Sequence, residues 1–232
     1  MNRRSFIADI AKVCLCALVT PRALAGREDL AGGCAWSHAT GQSLSDTTSS
    51  SGNRELDRAL IAEVRKVDQI FQINPGYRFL RDGSRPNAYA TGETQVSGTW
   101  GTVVFGLTLV SQELRTEYGG AAIAGIAGHE GAHIFQYRNN YTARLHGSTA
   151  RPRELHADYL AGYYFARTGR TEHSLVAFAK SLFGKGDYEF NHPDHHGTPD
   201  ERVSAMRSGY AAGNNTDLIA VANQGVRYVT EH

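Results

Sequence analysis

Charge of one sign, cysteine and long apolar runs are all in short supply in this 232-residue chain. Each shortage closes off a class of function. Lysine and arginine number 24 against 23 aspartate and glutamate, a net charge of +1 with no basic run. The chain therefore lacks the electrostatic footprint of a protein that binds nucleic acid or another polyanion. Of three cysteines, Cys14 and Cys16 lie close to the N-terminus, leaving Cys34 alone beyond it. A single thiol excludes an internal disulfide framework. No apolar run beyond the N-terminus approaches the length of a transmembrane helix, so no stable membrane anchor is expected. Proline is scarce at 6 residues, glycine plentiful at 25, and 41% of residues are hydrophobic. That balance suits one soluble domain, long enough to bury a core without staples.

The N-terminus stands apart. "MNRRSFIADIAKVCLCALVTPRALAG" has a basic start, a short apolar stretch from about Val13 to Thr20, and the small-residue site Ala23-Leu24-Ala25. Residues 1–25 read as a signal peptide cut near Ala25, which predicts an exported protein, periplasmic or extracellular. Arg3-Arg4-Ser5-Phe6-Ile7 resembles the twin-arginine export signal, the alternative being an ordinary secretory signal. Cleavage removes four Lys/Arg and one Asp and leaves a net charge of −2. Lipidation of Cys34 is a minor alternative.

Residues 26–53 include the Ser/Thr-rich stretch "WSHATGQSLSDTTSSSGN" and read as a flexible linker, with the domain proper at 54–232. From Arg54 to Ile73, Leu56, Leu60, Ile61, Val64, Val67 and Phe71 recur at helical spacing. Asp82-Gly83 reads as a hairpin turn between two strands. "TVVFGLTLV", 102–110, is the best strand in the chain. Helices are expected at about 111–118, 120–138, 152–168, 172–183, 198–211 and 215–224. Thr198-Pro199-Asp200-Glu201 offers a Thr N-cap, a Pro in the first turn and a Glu to close a capping box. There are no internal repeats. The expected fold class is α+β, a mainly helical domain with a small β-sheet beside the helix of 120–138.

That helix carries the chemistry. In "GIAGHEGAHIFQY", 125–137, His129 and His133 are four residues apart and project from one helix face, so both imidazoles can reach one metal ion. Glu130 lies about 100° round the helix, able to reach a metal-bound water without joining the ligands. This is the HExxH arrangement of zinc hydrolases. Its surroundings are apolar, and burying these groups costs several kcal/mol unless they are paired or hold a metal. Gly125, Gly128 and Gly131 form a small-residue ridge that admits a close neighbour. Catalytic zinc takes three protein ligands, and "RPRELHADYLAGYYFA" offers the third, Glu154, on a facing helix. Asp158, one turn on, is placed to accept the free N–H of a ligand histidine. His156 points elsewhere and reads as a surface residue.

"HEGAH" followed by "ELHAD" resembles the HExxH…ExxAD signature of gluzincin metallopeptidases, especially the HtpX and CAAX-prenyl-protease-like group. "NAYA" (87–90) with the following strand, and "HGTPDERVSAM" (196–206), resemble flanking segments of that family. The likeness spans about residues 85–207. It departs in lacking transmembrane helices, in a shorter gap between the motifs, and in Gly197-Thr198 where the late motif has proline. The resemblance implies a zincin-like fold and one Zn²⁺ per chain, held by His129, His133 and Glu154. Glu130 would be the general base for water attacking a peptide bond. The second oxyanion donor would be His196 or His195, with Tyr163 and Tyr164 as outsiders, and Arg202 would organise the loop around them. The expected partner is a peptide or protein substrate; the 102–110 strand either pairs with it as an added strand or is an internal strand of the sheet. Two other readings are a weakly catalytic metal-binding or chaperone-like protein of the cell envelope and a zinc hydrolase of non-peptide amides.

Overall fold

A computed structural model describes residues 43–84, 86–171, 174, 175, 178 and 196–231. Residues 1–25, Cys34, His195 and most of the helix expected at 172–183 lie outside the described residues. Among the described residues the chain forms six α-helices and one three-stranded sheet, a mostly helical α+β fold. No described helix is long and apolar enough to cross a membrane.

Helix α1 spans Arg54–Phe71. Asn53 caps it by accepting from the Glu55 and Leu56 amides, and Gln72 ends it in the left-handed region at φ 52°. Strands β1 (Gly76–Leu80), β2 (Ala88–Thr91) and β3 (Thr102–Gly106) follow. The sheet order is β1-β3-β2, with β1 parallel and β2 antiparallel to β3. The Asp82-Gly83 turn exists, with Gly83 at φ 55°, but it does not close a hairpin, because β3 lies between β1 and β2.

The same aspartate explains a second departure. β3 stops at Gly106, and residues expected to continue it form helix α2, Leu107–Glu113. The Asp82 carboxylate accepts from the Thr108 and Leu109 amides at 2.7 and 3.2 Å, satisfying the start of a helix that has no local cap. A β-branched run is thus diverted by a side chain 26 residues upstream. Being central, β3 is hydrogen-bonded on both sides and cannot take an added peptide strand; β2 is an edge of the sheet.

The described end of the 26–53 stretch is structured rather than a free linker. Leu44–Asp46 form a 3-10 turn closed by a Ser43–Asp46 capping box, and Thr48 bridges to Phe79. Leu44 packs with Leu80, Tyr89 and Val104, covering one sheet face, while Val103 and Phe105 alternate to the main core on the other.

Helix α3, Gly119–Arg138, is the axis of that core and is buried from Gly119 to Gln136. It has no polar face to offer water, so neighbours surround it, and the small residues let them close in. A Cβ on Gly131 would sit 2.3 Å from Val67 of α1, and one on Gly128 would sit 2.9 Å from Tyr164. Tyr164 belongs to α4, Arg151–Arg167, which faces α3. Helix α5, Pro199–Ala211, begins with the expected Thr198–Glu201 capping box. It crosses α4 where Gly162 and Gly209 each meet the other helix's backbone closely enough to exclude any Cβ. Helix α6, Leu218–Glu231, begins later than the pattern suggested, with Asp217 accepting from the Ala220 amide, and packs mainly on α4.

Candidate metal centre

Helix geometry sets the two histidines of α3 one above the other, and α4 brings Glu154 against them. His129 Nε2 and His133 Nε2 lie 3.1 Å apart, each 3.3 Å from a different oxygen of Glu154. All three residues are buried, with Glu154 at 0% exposure. One ligand atom from each fits within a 4.8 Å span, so the group can hold a metal ion.

The neighbours show which atoms face inward. His129 Nδ1 is 2.9 Å from Asp158 Oδ1, so the imidazole donates there and turns Nε2 to the centre. Asp158 is in turn held by Arg202, whose Nε and Nη2 donate to its two oxygens at 2.7 and 3.0 Å. Burial opposes charge on Asp158, but the Arg202 guanidinium and His129 hold its carboxyl below the usual range. Arg202 is fully buried and acts on His129 through Asp158.

His133 Nδ1 is 2.9 Å from Gln136 Oε1. Gln136 Nε2 lies 2.9 Å from the Arg153 carbonyl and 3.0 Å from His156 Nδ1, and His156 Nε2 lies 3.0 Å from the Ala222 carbonyl. His156 is not on the surface: it is 0% exposed, stacked on Tyr141 at 5.4 Å and roofed by α6. Tyr137 stacks on His133 and donates from its hydroxyl to Ala90 of β2 at 3.4 Å.

Two imidazole nitrogens and a carboxylate thus converge at a buried point. Among the described residues, neither oxygen of Glu154 accepts a hydrogen bond. Lewis-basic atoms so arranged repel unless a cation or a proton lies among them. When a proton fills that role, it does so on His129. Burial works against the charge, but Asp158 and Glu154 outweigh it and lift the imidazole to about 10. Burial likewise opposes charge on Glu154, yet His133 and His196 pull its carboxyl well down. The donor set is what a dication needs: two neutral nitrogens and one carboxylate, with their outer atoms already engaged.

His196 Nδ1 stands 3.3 Å from Glu154 Oε2, and its side chain is 13% exposed, more than those of the trio it borders. Glu130 follows His129 on α3 and is 2% exposed, outside the converging group. The two tyrosines are committed elsewhere. Tyr163 donates to the Asn215 carbonyl at 3.1 Å, and Tyr164 to Glu63, which also pairs with Arg170. Gln136 and His156 were missed by sequence reasoning. Gln136 had a signal, lying at i+3 from His133 on the same helix face. His156 had none, because the covering helix α6 is distant in sequence.

The fold and the site define a mixed α+β protein with a buried His₂Glu group able to bind a metal ion. No protein-family model, curated protein or solved structure matches the chain.

Proposed function

We propose that the protein is an exported, zinc-dependent metallopeptidase of zincin-like fold that hydrolyses peptide bonds in peptides or proteins. The observation that carries this reading is the convergence of His129 Nε2, His133 Nε2 and the Glu154 carboxylate in a buried site, on the helix that also presents Glu130. A His₂Glu set suits zinc. Bound there, zinc supplies Lewis acidity towards a scissile carbonyl and makes a water more acidic.

The chain's own residues do the rest. Glu130 takes the proton of the attacking water and delivers it to the leaving amine. His196, at the open margin of the trio, donates to the oxygen that gains charge. Asp158, clamped by Arg202, keeps His129 turned towards the ion. Strand β2, an edge of the sheet beside α3, is where an extended substrate would add its backbone. The signal-like residues 1–25 support export.

Metal content by mass spectrometry tests the centre directly. About one zinc per chain is expected in the wild type, with loss in His133→Ala and in Glu154→Ala. Zinc retained without Glu154 would remove it from the ligand set. In a peptide-cleavage assay, Glu130→Gln should keep zinc and lose turnover. A biological effect that survives Glu130→Gln would mark a metal-binding protein instead of an enzyme.

A further inference from the structure

The second histidine of the centre is held by a device that the HExxH…ExxAD pattern does not contain. The donors and acceptors along it are forced. The Ala222 carbonyl can only accept, so His156 carries its proton on Nε2. The Arg153 carbonyl can only accept, so the Gln136 atom 2.9 Å from it is the amide nitrogen. That nitrogen faces His156 Nδ1 at 3.0 Å, and two N–H groups cannot point at each other, so Nδ1 is bare and accepts. The Gln136 carbonyl oxygen is then the end presented to His133 Nδ1, which must donate to it at 2.9 Å. His133 Nε2 is left as a lone pair aimed at His129 and Glu154.

We propose that Gln136 and His156 are positioning residues, a neutral relay from the α6 backbone that fixes His133 in its metal-binding tautomer. The proposal rests on the metal-centre reading for its consequence but not for its geometry. Gln136 alone does not suffice, since an amide can turn over. Turned, it would offer N–H to His133 Nδ1, force the proton onto Nε2 and block the ligand atom. His156 and the Arg153 carbonyl together prevent this, each accepting only from the nitrogen end. It is itself locked by Ala222, by the Tyr141 ring and by Gly225, where a Cβ would lie 3.0 Å from its Cδ2.

The test is a double-mutant cycle read as zinc affinity, by competition with a chelating dye on the purified chain. Gln136→Met should weaken zinc by about 10–100-fold, and His156→Phe by a smaller factor, because the Arg153 carbonyl still engages the amide nitrogen, with α-helical circular dichroism retained. In the Gln136→Met background His156→Phe should be nearly silent, since no amide remains to be oriented. A His156→Phe loss of equal size in both backgrounds would show that the ring only fills space and would overturn the relay. So would no loss in the Gln136 background.

Side-chain ¹⁵N spectra of the wild-type chain read the same device without any variant. The His156 proton is expected on Nε2; a proton on Nδ1 instead overturns the proposal. If the wild type takes up no zinc, the metallopeptidase reading falls while this spectrum still decides the relay.

Discussion

The two imidazoles of the centre are held in the same orientation by opposite means. His129 leans on an ionic pair, Asp158 with Arg202, and His133 on neutral groups, Gln136 and His156, ending on a backbone carbonyl. The ionic arm draws on α4 and α5; the neutral arm draws on α3, α4 and α6. An ionic arm makes its histidine more basic and strengthens its hold on a cation, at the cost of a buried charge pair that fails badly when halved. A neutral arm fixes direction without adding charge. Together they leave Glu154 as the negative group facing the ion.

The largest expected effect comes from halving the ionic arm. Arg202→Met leaves Asp158 charged and buried, and should destabilise the metal-free protein by about 3–5 kcal/mol in urea denaturation. Gln136→Met, which strands only neutral groups, should cost about 1–3 kcal/mol. Equal losses would erase the distinction between the arms.

The arms should also fail at opposite ends of the pH scale. Burial, opposed by the Ala222 bond, holds His156 at about 4 against an ordinary 6.5. Folded His156 binds fewer protons than unfolded, so its contribution is whole above pH 6.5 and disappears as the pH falls towards 4. At about 1.4 kcal/mol per unit that is on the order of 3 kcal/mol. His129, lifted from 6.5 to about 10, contributes fully below pH 6.5 and loses its contribution as the pH rises towards 10. Denaturation of the metal-free chain across pH should show both limbs, with His156→Phe flattening the acid one. An acid limb unchanged in that variant would assign it to other groups.

The smallest signal is a proton count. Asp158 and Glu154 lift His129 to about 10, so zinc taken up at pH 7 would displace a proton from it. Calorimetry in buffers of different ionisation enthalpy should find about one proton released per zinc. Release of none would mean that His129 is already neutral, and the ionic arm weaker than its geometry implies.

The ionic arm is also the one that could be read from sequence. Asp158 sits one helical turn beyond Glu154, and periodicity alone put both on one face. Helix α3 was legible for the same reason, and the start of α5 because Thr198 and Glu201 form a purely local cap. What escaped depended on distant partners. "TVVFGLTLV" reads as a strand to its end, and only Asp82, far upstream, turns its second half into a helix. His156 reads as exposed because it points away from Glu154. The side it points to is covered by α6, whose packing leaves no mark in the local pattern. Leu44 looked like a lone apolar residue in a polar stretch until β1, β2 and β3 supplied its pocket.

The reach of these contacts says when an ion can act. His129 and Asp158 are 29 residues apart, Asp158 and Arg202 are 44, and His156 and Ala222 are 66. His129 and His133 share one helical turn, but the groups that orient them also come from α4, α5 and α6. A metal ion would therefore find oriented ligands only after the helices have docked. On the proposed zinc reading, the ion would slow unfolding and leave the rate of folding to the chain itself.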